Sequence, residues 1–147
     1  IQLLNKYTMF LLEDDYKAQL KEQALDALTG YNNHVRMDVE IKAQAEMESY
    51  LRERYDVVAI FSAAGNDRNP LIKMFMVDIA VYHLFCAIAP RNIPQIRLDR
   101  YNAAMKWLDM VRRGQINPAL PPNEDTDGNP TGTSIFGGNT AADYGNW

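Results

Sequence analysis

Apolar residues return every three or four positions through most of the first 113 residues, which is the spacing of a helix face. Tyr16, Leu20, Ala24, Leu25 and Leu28 mark a first helix over about 15–28. Glu13-Asp14-Asp15 puts acidic groups at its start, where free N–H donors and the positive end of the helix dipole favour them, and Gly30 suits its end. After the polar connection Tyr31-Asn32-Asn33-His34, Asp38 is placed to cap a second helix running to about Tyr55. Its inward positions are Ala43, Met47, Tyr50, Leu51 and Tyr55, while Glu48 and Arg52 form an i, i+4 pair on an outer face.

From Asp56 the pattern changes. Val57-Val58-Ala59-Ile60-Phe61 is continuously apolar, and Gly65-Asn66-Asp67-Arg68-Asn69 is a run of turn formers, so an extended loop is expected between helices two and three. Pro70 then opens the most hydrophobic stretch, which lasts to Ala89 and is closed by Pro90. Its length would suit a membrane span, but Lys73, Asp78 and His83 lie within it at five-residue intervals that spread them around the helix. It therefore reads as the central helix of a soluble bundle. A fourth helix from Pro94 to about Arg113 shows a stripe of Tyr101, Ala104, Met105, Leu108 and Val111, with Arg112 and Arg113 in its last turn and Gly114 as its stop.

The expected fold is all-α: a small four-helix bundle with a non-helical C-terminal arm. The body spans 1–117 and the arm 118–147. Residues 114–147 hold six of the eight glycines and four of the seven prolines and show no helical period, so their own burial cannot offset the entropy of ordering them. Ile135, Phe136, Tyr144 and Trp147 nevertheless punctuate this stretch, as anchors would in an arm that orders on a partner.

Charge sharpens the division. The net charge is −4, yet all 15 Lys and Arg lie in residues 1–113, while residues 114–147 carry only Glu124, Asp125, Asp127 and Asp143. The body is neutral with interspersed signs and lacks the clustered basic face that sequence-independent duplex binding needs. The patchy apolar start, interrupted by Asn5 and Lys6, lacks a signal-peptide pattern. Cys86 is the single cysteine and His34 and His83 the only histidines, so neither a disulfide scaffold nor a Cys/His zinc site is expected, and no metal or other cofactor is implied.

Catalytic arrangements find no footing. Asp78 and His83 diverge by about 140° on a helix and are expected to be hydrogen-bonded separately within the bundle. Ser49, Ser62 and Ser134 sit in no nucleophile elbow, Cys86 lies on an apolar helix, and Gly137-Gly138-Asn139-Thr140 has no following lysine to make a phosphate loop. The run Ser49-Tyr50-Leu51-Arg52-Glu53-Arg54-Tyr55 is different, because two tyrosines and two arginines gather where a helix hands over to a loop. Tyr50, Arg52, Arg54 and Tyr55, with Phe61 from the loop and Phe136, Tyr144 and Trp147 from the arm, are the candidate partner-binding residues; packing of Tyr50 and Leu51 in the core is the plainer alternative.

Taken in order, Tyr50-Leu51-x-x-Arg54-Tyr55, then Asp78-Ile79-Ala80-x-Tyr82-His83-Leu84, then Arg100-Tyr101-x-x-Ala104-Met105-x-Trp107-Leu108 closing on Gly114, resemble the Mu-like prophage head–tail connector family over roughly residues 7–120. The tail after Leu120 lies outside the shared pattern. The resemblance implies a virion structural protein of the neck, made in the host cytoplasm and without catalytic residues. It implies a homo-oligomeric ring of about twelve subunits joining the portal protein to a tail or stopper protein, through which packaged DNA passes without sequence-specific binding and with no membrane contact. A small cellular binding module that wraps a partner with its tail, regulator- or antitoxin-like, is the competing expectation.

Overall fold

In the third quarter of the chain, every residue from Phe75 through Val81 is buried, so a helix there must be covered on all sides. The computed structural model describes residues 9–30 and 32–131. Among these, five α-helices are present: α1 (Glu22–Thr29), α2 (Asn33–Leu51), α3 (Val57–Ser62), α4 (Pro70–Ile88) and α5 (Gln95–Arg112). A short antiparallel hairpin of β1 (Asn123–Glu124) and β2 (Pro130–Thr131) follows. Among the described residues the fold is all-α, with a non-helical segment following α5.

The helix α4 packs against α1, α2, α5 and the turn before α1. It is long and apolar enough to cross a membrane by length and composition, yet its middle is occupied by these neighbours, and only Leu71, Met74, Ala87 and Ile88 near its ends, with Pro70, are exposed. Asn69 accepts hydrogen bonds from the N–H groups of Leu71 (2.9 Å) and Ile72 (3.2 Å), and Pro70 takes the first helical position, where a missing N–H costs nothing. Val39, Ala43, Met47 and Leu51 make a straight stripe along α2, and Ala104, Leu108 and Val111 one along α5, each a turn apart and buried.

Three boundaries differ from the sequence expectation. The first helix is not continuous from 15 to 28. Glu13–Tyr16 is a 3-10 turn, the chain is extended at Lys21 (φ −64°, ψ 144°), and only then does α1 begin. The break lets Tyr16 and Leu20 enter the core and frees the Gln19 carbonyl to accept from Arg97 (2.6 Å). The second helix is capped by Asn32, whose side chain accepts from the His34 N–H at 2.9 Å, not by Asp38, which is exposed within the helix; the helix ends at Leu51, and Tyr55 lies beyond it. Finally, the apolar start of the expected loop is helical. Asp56 caps α3 by accepting from the Ala59 N–H (3.0 Å), and a helical turn buries Ile60 and Phe61 together, which an alternating strand could not do for adjacent residues.

Gly30 (φ 61°) ends α1 and Gly114 (φ 74°) follows α5, both in the left-handed conformation expected of such stops.

A candidate partner-binding face at the end of helix two

The C-terminus of α2 leaves carbonyls without helical partners, and the chain supplies them from far away in sequence. Asn123 donates its backbone N–H to the Arg54 carbonyl (3.1 Å) and its side-chain amide to the Arg52 carbonyl (2.7 Å). Tyr55 bridges Pro122 in antiparallel fashion, and the Asp56 N–H reaches the Pro121 carbonyl at 2.9 Å. Leu120 is buried beside them. The first stretch of the expected arm is thus fastened to the chain's own body, because it answers the open end of a helix.

The candidate residues separate into two groups on this frame. Tyr55 and Phe61 are interior: Tyr55 is 6% exposed, with burial pushing its hydroxyl pKa up, and Phe61 meets Phe10 edge-on at 5.3 Å between ring centres. The outer group is Tyr50, Arg52 and Arg54. Tyr50 is half-buried with the Arg112 guanidinium 5.9 Å from its ring centre, a cation–π spacing. Arg52 projects into solvent and pairs with Glu48 at 3.6 Å, the expected outer-face pair. Arg54 lies over Gly114 and donates to Asn117 Oδ1 at 3.3 Å; it pairs with no carboxylate among the described residues, and its buried Nε has no partner there. Arg112 and Arg113 share Asp109, at 2.6 and 2.8 Å. Phe136, Tyr144 and Trp147 lie outside the described residues.

Four polar clusters tie the helices together, and none was legible in the sequence as a unit. Arg68 is 7% exposed; it donates to both carboxylate oxygens of Asp15 and to the Phe10 carbonyl (2.8 Å). Burial alone would raise the Asp15 pKa, but the Arg68 and Leu12 hydrogen bonds and the charges of Arg68 and Lys73 outweigh it and hold the carboxyl below its ordinary range. Glu40 is fully buried and accepts from the Tyr16 hydroxyl at 2.7 Å, with Arg36 at 3.3 Å; burial prevails there and pushes its pKa up. Asp78 meets Arg100 at 3.2 Å and is likewise raised, by burial. His83 meets Glu46 at 2.5 Å, and Tyr101, stacked on Tyr82 at 4.0 Å, donates to the other Glu46 oxygen at 3.3 Å. Burial, then the Glu46 charge, push the Tyr101 hydroxyl up to about 12.

Asp78 and His83 are hydrogen-bonded separately, as the helical offset requires. Each carboxylate in these clusters joins two segments, which is the work of a structural tie. Among the described residues, no three His, Cys, Asp or Glu side chains gather as metal ligands.

The family described as Bacteriophage Mu, Gp36 matches residues 11–135. The chain belongs to the bacteriophage Mu Gp36 family. The match corrects one expectation: the shared pattern does not end near Leu120 but runs on through the residues of the β1–β2 hairpin. No curated protein and no solved structure matches the chain. Gp36 kinship makes this a phage protein, produced in the host.

Proposed function

We propose that this Gp36-family chain is a virion structural protein: a head–tail connector (adaptor) subunit that forms a ring between portal and tail and lets packaged DNA pass without reading its sequence. Membership of a phage family whose match covers the whole helical body supports the reading. The structural observation that carries it is the exposure of large apolar side chains on separate elements: Ile41 (52%) on α2, Val58 (74%) on α3 and Ile96 (56%) on α5. A ring subunit needs two unlike faces, one for each neighbour, and these residues on α2, α3 and α5 are proposed as parts of them. Tyr50, Arg52 and Arg54 at the end of α2 are the proposed contact with the portal or with the tail or stopper protein, and Tyr144 and Trp147 the distal anchors of the arm. The neutral body agrees with a channel that holds DNA by geometry instead of by counter-charge. The phage family weighs against a cellular regulator.

The test is assembly. The purified chain, alone and with portal particles of its own phage, is examined by light scattering after size exclusion and by negative-stain microscopy. Rings or portal-bound rings are expected. Ile41→Asp and Val58→Asp should abolish them with an unchanged far-ultraviolet spectrum and melting temperature. A chain that stays monomeric and ignores portal particles would refute the connector role.

A further inference from the structure

The two ends of α4 carry surfaces of complementary chemistry. Beyond its last residue, the Asn92 N–H closes a β-turn on the Ala89 carbonyl (3.0 Å), with Pro90, whose fixed φ suits the second turn position, and Arg91 at the tip. Arg91 is exposed and pairs with no carboxylate among the described residues. Ile88, which ends α4, and Ile96, in the first turn of α5, are exposed on either side of this turn in the sequence. At the other end, a cavity of about 360 Å³ opens between α3, the Gly65–Asp67 turn, the start of α4 and residues 119–121. Its lining is mixed. Ala59, Ile60, Ala63 and Pro70 are apolar, whereas the Asn66 and Asp67 side chains are exposed and have no partner among the described residues. Arg68 and Asn69 also line it, but Arg68 is engaged by Asp15, Phe10 and Gly65, and Asn69 caps α4. We propose that the cavity receives the Pro90–Arg91 tip of a second copy of this chain, the Arg91 stem lying on the apolar lining and its guanidinium donating to the Asp67 carboxylate.

An arginine joins an apolar stem to a planar cationic head with five donors, so it suits a site that is apolar within and bears a carboxylate. An apolar cavity of about 150 Å³ is enough to take a benzene ring, so this one has room for the proline ring and the arginine stem together. The surroundings match as well. Val58 and Leu71, next in sequence to the lining residues Ala59 and Pro70, are exposed, as Ile88 and Ile96 are around the incoming turn. Apolar groups on both sides can therefore close around the charged pair and strengthen it by excluding water.

Tip and cavity cannot meet within one chain. Pro70 opens α4 and lines the cavity, Ile88 closes α4 just before the turn, and the 19 residues of the helix hold these ends about 27 Å apart. The contact therefore joins copies. Because the two surfaces differ, it is heterologous: each copy offers its tip to one neighbour and its cavity to the other, which makes a ring when the rotation closes. The inference deepens the connector reading by naming a contact between ring subunits, and it rests on that reading for closure of the ring.

The test is a charge swap in the full chain, read by sedimentation velocity and light scattering over a concentration series, alone and with portal particles. Arg91→Glu sets carboxylate against carboxylate and Asp67→Arg sets cation against cation, so each should weaken self-association at least about tenfold with an unchanged far-ultraviolet spectrum. An equimolar mixture of the two variants should recover it to within about threefold, since the altered tip of one then fits the altered cavity of the other and the unaltered pair still fits. In a Cys86→Ser background, Arg91→Cys mixed with Asp67→Cys and oxidised mildly should give a disulfide between positions 91 and 67 of different copies, and this decides alone if a swap variant loses its helical spectrum. Self-association that neither substitution changes, or a loss that mixing does not repair, would overturn the inference and leave the connector role standing. Loss of portal binding by Asp67→Arg with self-association intact would make the portal protein the occupant and overturn it too. A chain that stays monomeric both alone and with portal particles would overturn both.

Discussion

Arg68 offers the sharpest trial of how the N-terminal segment is held. Its guanidinium spans Asp15, the Phe10 carbonyl and the Gly65 carbonyl (3.0 Å), and it lies 5.8 Å from the Phe10 ring, so one side chain pins residues 10–15 to the entrance of α4. Arg68→Met keeps much of the volume and removes every one of these bonds. Breaking a buried ion pair from one side costs about 3–5 kcal/mol, because the remaining charge loses its partner without regaining water. Asp15 keeps Lys73 at 3.9 Å and a 12% exposed side chain, which moves the expected loss at pH 7 to about 3 kcal/mol, near the lower end of that range. The pH dependence follows from the direction of the Asp15 shift. A carboxyl held below its ordinary value of 3.8 contributes stability that is fully present above that value and is lost as the pH falls through the folded-state value. The stability gap between the two proteins should therefore be constant around neutrality and narrow as the pH drops toward and below 3.8. Urea unfolding followed by circular dichroism at pH 7 and at stepped acidic pH measures both quantities. With Asp15→Asn and the double variant, a thermodynamic cycle should give a coupling of about 1–3 kcal/mol. A loss below about 0.5 kcal/mol at pH 7, or a gap that widens on acidification, would refute the reasoning.

Leu84→Ala and Phe75→Ala should each cost about 2–5 kcal/mol in urea unfolding, since Leu84 is fully buried on α4 and Phe75 packs on Trp107 at 4.8 Å; values below about 0.5 kcal/mol at both would mean that α4 is peripheral. Gly114→Ala should cost about 1–2 kcal/mol by thermal or urea unfolding, because the residue is left-handed at φ 74° and an added methyl runs into the Arg54 guanidinium. Asn123→Ala removes the bond to the Arg52 carbonyl and should lower stability by about 1 kcal/mol. Hydrogen exchange should then quicken in residues 121–131 while the protection of α2, α4 and α5 persists.

Much of the bundle was written in local pattern. The buried stripes Ala43-Met47-Leu51 and Ala104-Leu108-Val111, the Asn69-Pro70 entry to α4, and the stops at Gly30 and Gly114 all depend on residues within a turn or two of one another. Periodicity and end signals are local physics, so one dimension is enough to read them. The Glu48–Arg52 pair was equally plain, since a helix fixes the spacing of residues four apart.

What only the tertiary structure decided involves partners far apart along the chain. Glu13–Tyr16 became a separate turn because Asp15 is held by Arg68 and Tyr16 by Glu40, partners 53 and 24 residues away. Val57–Ser62 became a helix because Asp56 capped it and Ile60 and Phe61 found the core on one side, although their β-branched neighbours favoured an extended chain. Phe61 went inward against Phe10, and Arg54 came to rest on Gly114, where residues 114–123 fold back over the α2 end, whereas the inward place of Tyr55 was already legible in the helical spacing. A sequence shows which residues can fill a face or accept a hydrogen bond. Which distant group arrives there is fixed only when the helices pack, since burial and polar satisfaction are set by the assembled neighbours and not by the segment itself.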